Sequence, residues 1–167
     1  WRHSNILRFM CKTFKENLLN CDIYVDLEGS SIAGGTIPPH ILKTNQRPDL
    51  VIVNEESLEL TIVELTVPFE TNLDDAHTRK TEKYSSLVKD IRERGYNVSF
   101  FAVEVGVRGL VSRDNKQRLK QILKKSGSLT RPTDLFQSLS KHAILSSFTI
   151  FYARKEQSWG DVRHIDL

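Results

Sequence analysis

Two acids stand out by type and position. Asp49 precedes the β-branched run 50–53, and Glu64 sits in the middle of a second such run, 60–67. If those runs pair as a hairpin, both carboxylates lie side by side at one end of a sheet. Carboxylates at one spot repel each other unless one is protonated or a cation bridges them. Mg²⁺ suits such a place, because it binds through one or two carboxylates, keeps several waters and accepts phosphate oxygens as further ligands; Mn²⁺ can substitute. A metal held this way lowers the pKa of a bound water and neutralises charge developing on a phosphate. Taken singly, either acid also reads as an ordinary structural residue.

A lysine joins them through a helix. Residues 72–94 carry Leu73, Ala76, Leu87, Val88 and Ile91 at helical spacing, closed by Gly95. At about 100° per residue, Lys80 and Tyr84 fall within about 20° of the centre of that apolar stripe. Lys83 lies on its margin, while Arg79 and Glu82 point away. A lysine in mid-stripe is costly to desolvate. Either it snorkels out along its stem or it meets buried carboxylates, where its ammonium can orient a water or stabilise a phosphoryl transition state.

These groups need a core to position them. The 167 residues, 39% hydrophobic and 27% charged, fit one soluble domain read over 1–167. Its core spans about 3–126 and a helical extension about 131–167. No apolar run reaches the roughly 20 residues that span a bilayer. Basic residues interrupt the opening stretch, which therefore does not read as a secretory signal. Trp1 in place of Met reads as a domain excised from something longer. Cys11 and Cys21 alone cannot make a zinc site and read as reduced, partly buried thiols. The net charge of +3 is unevenly spread. Residues 48–78 hold eight acids and no Lys or Arg, whereas 108–131 hold eight basic residues against Asp114 alone. Carboxylates beside a cationic surface suit a metal and a polyanion; two solvated faces fit the same counts.

The element order follows from periodicity. Residues 3–19 predict an amphipathic helix, 22–27 a short strand, and 29–47 a long loop. The runs 50–53 and 60–67 predict a hairpin, 72–94 a helix, and 97–105 a strand covered on both faces. Two helices follow, over 112–125 and 133–153. The result is an α/β fold: a mixed four-stranded sheet flanked by helices, with an extra C-terminal helix.

In order along the chain, RPDLVIV, IVELTVPFE, AHTRKTEKY and FFAVEVGVRG resemble the restriction-like endonuclease domain of site-specific non-LTR retrotransposons, a branch of the PD-(D/E)xK nucleases. The resemblance is close over about 47–109 and loose in the flanking helices. It implies a restriction-endonuclease-like core in which Asp49 and Glu64 bind Mg²⁺, the Leu65 carbonyl adds a ligand, Lys80 completes the catalytic set, and Tyr84 lines it. Glu16 matches a position where related nucleases sometimes carry an additional metal-binding acid. One departure is plain: the lysine of the general pattern, two residues after Glu64, is Thr66 here. In the retrotransposon domains the lysine comes from the following helix, which selects Lys80 by motif register, with Lys83 in reserve. The implied activity is nicking of target DNA to prime reverse transcription. The implied partners are DNA (branched or single-strand-containing forms included), the reverse transcriptase and DNA-binding segments of the same polyprotein, and indirectly the element RNA. The implied location is the nucleus, without a membrane.

Other residues are candidates for DNA contact. Arg47 adjoins the first acid, and His77 lies near Lys80, as a substrate contact or a packing histidine. Arg108, in the Gly106–Gly109 turn, can meet a phosphate. Arg113, Lys116, Lys120 and Lys124 form one basic stripe at helical spacing, for phosphates or merely for solvent. Two rivals share the core: a catalytically inactive nucleic-acid-binding module, which Thr66 favours, and a dimeric resolvase of branched DNA. The apolar run over 144–152 can pack on this core or on a partner domain.

Overall fold

The computed structural model describes residues 1–15, 20–29, 36–125 and 127–154. The expected order of elements is present throughout them. Helix α1 (Arg2–Lys15) precedes strand β1 (Asp22–Val25), then β2 (Leu50–Asn54) and β3 (Glu59–Thr66). A 3₁₀ turn (Glu70–Asn72) leads into α2 (Leu73–Arg92), followed by β4 (Asn97–Glu104), α3 (Arg113–Lys125) and α4 (Pro132–Ala153). Boundaries move by a few residues at most; β1 stops at Val25 where alternation pointed to 27. Residues 36–47 contain neither helix nor strand. Residues 16–19 of the expected first helix, Glu16 among them, residues 30–35 of the expected loop, and 155–167 of the expected extension lie outside the described residues.

The sheet runs β1-β2-β3-β4, antiparallel for the first two pairs and parallel for β3 with β4. The 50–54 and 59–66 runs do form the hairpin, with Leu50 opposite Val63. At its turn the Asn54 side chain accepts a hydrogen bond from the Ser57 amide at 3.0 Å, the local bonding that makes Asn a turn residue. A parallel pair needs a crossover, and α2 supplies it. Gly95, at φ 92°, ends that helix in the left-handed conformation that glycine adopts without strain.

Alternation divides the core between the two faces of the sheet. Val51, Val53, Leu60, Ile62 and Val98 pack on one face with Tyr84, Leu87, Val88 and Ile91 of α2. Leu50, Ile52, Val63, Leu65, Phe101 and Val103 pack on the other with α1, α3 and α4. The architecture is therefore α/β, with a mixed four-stranded sheet flanked by helices on both sides. The outer edge of β4 is met by side chains. Arg92 donates to the Val98 carbonyl (2.9 Å), Arg118 to the Ala102 carbonyl (3.4 Å), and the Glu104 amide donates to Asn115 (3.1 Å). No helix among the described residues is long and apolar enough to cross a membrane.

Candidate active site

Since Leu50 pairs with Val63, the next residues outward, Asp49 and Glu64, face each other at the end of the β2–β3 ladder. Each carboxylate binds the other strand's backbone. The Asp49 amide donates to Glu64 Oε2 at 3.0 Å, and the Leu65 amide to Asp49 Oδ2 at 2.7 Å. Glu64 is only 2% exposed. Burial, with the charge of Asp49 beside it, pushes its pKa above the usual carboxylate range, and Lys80 partly offsets this. The Lys80 ammonium donates to Glu64 Oε1. The mid-stripe lysine therefore meets a buried carboxylate instead of snorkelling.

Lys83 does not reach the carboxylates. Its Nζ donates to the Tyr84 hydroxyl (2.9 Å), which in turn donates to the Arg47 carbonyl (2.9 Å). Tyr84 is fully buried. Burial, and then the nearby charges of Glu64 and Asp49, raise its pKa, so it stays a neutral hydroxyl that fixes the backbone just ahead of Asp49.

Sequence reasoning overlooked His3. No local spacing marks it as a ligand or a catalytic group, yet α1 carries its ring to the sheet end. There Nε2–H points at Asp49 Oδ2 (3.1 Å) and the Leu65 carbonyl (3.2 Å) together. The Asp49 hydrogen bond raises the His3 pKa above its ordinary 6.5 against the opposing effect of burial. This raised pKa stabilises the fold at pH below about 6.5, and the benefit is lost as pH rises through the folded value. Glu64, also raised, binds an extra proton in the folded state above about 4.5, so its effect has the same sign. In EDTA, the melting temperature should fall as pH rises from about 6 to 8, and His3→Gln should flatten that fall. An unchanged slope in His3→Gln would assign it to other groups.

The donor set fits a hard cation. Asp49 and Glu64 offer carboxylate oxygens and Leu65 a peptide carbonyl, the all-oxygen chemistry that Mg²⁺ takes. One positively polarised N–H already addresses two of these oxygens at once. Among the described residues no three His, Cys, Asp or Glu side chains gather to hold a metal by themselves.

The other expected contacts are distributed differently. His77 is pinned instead of free: its Nδ1–H donates to Glu104 Oε1 (3.0 Å), and Nε2 accepts from Arg118 (3.4 Å). Arg118 also donates to Glu104 Oε2 (3.0 Å). Glu104 is 2% exposed and shares a sheet face with Glu64, since Thr66 pairs with Glu104 as Glu64 does with Ala102. Sequence reasoning missed this second buried acid, and its signal was an acid at the end of an apolar strand covered on both faces. Arg47 pairs with Asp26 at 2.6 Å, and Arg108 with Glu70 at 3.0 Å. Both are surface ion pairs, and each arginine keeps half or more of its side chain exposed. Arg113, Lys116, Lys120 and Lys124 are exposed along α3, as the stripe requires.

No family model matches the chain, and no curated protein does. Among solved structures it is similar to an N-terminal domain of a reptarenavirus L protein, with a TM-score of 0.44 and 12% identity, covering 86% of this chain and 74% of that one.

Proposed function

We propose that this chain is a metal-dependent DNA endonuclease domain with a restriction-endonuclease-like core, hydrolysing a phosphodiester bond. One observation carries the reading: Asp49, Glu64 and Lys80 converge at one sheet end, with the Leu65 carbonyl joined to Asp49 through His3. A bound Mg²⁺ or Mn²⁺ there would activate water and neutralise phosphate charge. The protein's own part is positioning. Asp49 and Glu64 hold the cation with Leu65 O. Lys80, at 22% side-chain exposure, is covered enough to stay put and open enough to meet a phosphate oxygen. His3 aligns Asp49 with the Leu65 carbonyl, and Tyr84 anchors the Arg47 carbonyl two residues earlier.

In the finer reading the domain nicks target DNA to prime reverse transcription within a non-LTR retrotransposon polyprotein. Its support is the four ordered sequence blocks. The expected partners are the reverse transcriptase, the DNA-binding segments and the element RNA, and the expected place is the nucleus. A second reading, a nuclease-fold binding module without turnover, is favoured by Thr66 at the usual lysine position.

The test is nicking of supercoiled plasmid with Mg²⁺ or Mn²⁺, against EDTA, Asp49→Ala and Glu64→Gln. We expect metal-dependent nicking that both variants lose while still binding DNA. Nicking that survives either substitution would sink the site assignment. A folded protein that shifts DNA but never cuts would favour the binding module.

A further inference from the structure

On the opposite side of the sheet from α2, a groove of about 530 Å³ lies between residues 109–111, the start of α3, and α4. Its walls are apolar and unusually open for such residues: Leu110 is 48% exposed and Ile144 47%, with Phe136 completing them. Gln137 and Ser140 supply an amide and a hydroxyl, and Lys116 and Lys141 supply two cations.

The groove is built on fixed elements. Gly109 sits at φ 87°, and a Cβ there would come within 2.6 Å of Ser140 Oγ and 2.8 Å of Ile144 Cδ1. Only glycine lets the loop lie that close to α4. The loop is further held by Gly106 N–H to the Leu110 carbonyl (2.8 Å), Val107 N–H to the Pro68 carbonyl (2.9 Å) and Ser147 Oγ to the Val107 carbonyl (2.6 Å). It begins where β4 ends, and β4 runs parallel to β3. The groove therefore opens at the same end of the sheet as Glu64.

We propose that this groove binds one nucleotide of a single-stranded nucleic acid. The base lies on Leu110, Phe136 and Ile144, with its edge bonded by Gln137 and Ser140 and its phosphate between Lys116 and Lys141. Bases present a flat apolar face with a polar edge, which is the chemistry these walls and groups complement. Lys116 belongs at once to the groove and to the α3 basic stripe, so the backbone continues from one onto the other. The charge along α3 agrees, since Arg113, Lys116, Lys120 and Lys124 are all exposed. The inference extends the nuclease reading to a subsite for a strand, but it is tested by binding alone.

The probe is a fluorescein-labelled ten-nucleotide oligo(dT), read by anisotropy in EDTA so that no cutting occurs. Leu110→Ala and Ile144→Ala, which alter no charge, should each weaken binding several-fold, and Lys141→Glu roughly tenfold. A 4-thiothymidine version should cross-link to the peptide holding Phe136 and Gln137. Unchanged affinity in Leu110→Ala and Ile144→Ala, with loss only in Lys120→Glu or Lys124→Glu, would overturn the proposal and leave the stripe as a bare phosphate contact. So would groove variants that lose binding to oligoglutamate but not to oligo(dT), since the occupant would then be an acidic peptide. Metal-dependent nicking by the parent protein is read separately, so this proposal and the nuclease reading can fail one without the other.

Discussion

Lys80→Ala should reduce metal-dependent nicking by roughly 10²- to 10³-fold, the usual cost of removing one preorganised donor from a developing charge, and Lys83→Ala should leave the rate nearly unchanged. The contrast follows from where two ammonium groups, three residues apart on one helix, are directed. Lys80 lies on Glu64, whereas Lys83 lies on the Tyr84 hydroxyl. The fold should survive Lys80→Ala, because Glu64 already has a raised pKa and can take up a proton when its partner is gone. Circular dichroism on both variants and single-turnover cleavage with each would settle the roles. Equal losses in the two variants, or full activity in Lys80→Ala, would remove Lys80 from the catalytic set.

Arg118→Ala should destabilise the fold severely, by about 3–5 kcal/mol against a typical total of about 5–15 kcal/mol. Glu104, 2% exposed, would be left in a dry site with His77 as the remaining partner of its carboxylate. Breaking a buried pair costs more than deleting it whole. Glu104→Gln added to Arg118→Ala should therefore recover part of the loss, and the two effects should be far from additive. Urea unfolding of the two single variants and the double variant measures this. If the losses simply add, Glu104 and Arg118 are not coupled as their 3.0 Å contact implies. The cluster also bears on the site: His77 sits one turn before Lys80, so the hold on His77 fixes that end of α2 over the sheet.

Much of this was legible in the residues. The β-branched runs gave β2 and β3 because a half-buried pleat favours such side chains, and their pairing put Asp49 beside Glu64. The wheel placed Lys80 on the sheet-facing stripe for the same reason it placed Leu87 and Ile91 there. His3 was not legible, since its partners lie 46 and 62 positions away and no local spacing links a helix start to a strand end. Glu104 and Arg118 escaped differently. One was absorbed in an apolar run and the other counted in a basic block, although burying an acid demands a partner. Arg47 and Arg108 read as free cations because sequence does not show that Asp26 and Glu70 meet them. Tyr84 was expected to line the site, and its hydroxyl turns out to be engaged on the backbone that carries Asp49.

The side chains along the outer rim of β4 have a consequence for how the molecule behaves in company. A bare rim is a template on which another chain can add a strand and begin to aggregate. Here Arg92 and Arg118 occupy carbonyls that such a chain would need, and Asn115 occupies an amide. Arg118 thus neutralises an acid inside the protein and keeps the sheet from growing beyond it, so solubility and internal electrostatics rest on the same guanidinium.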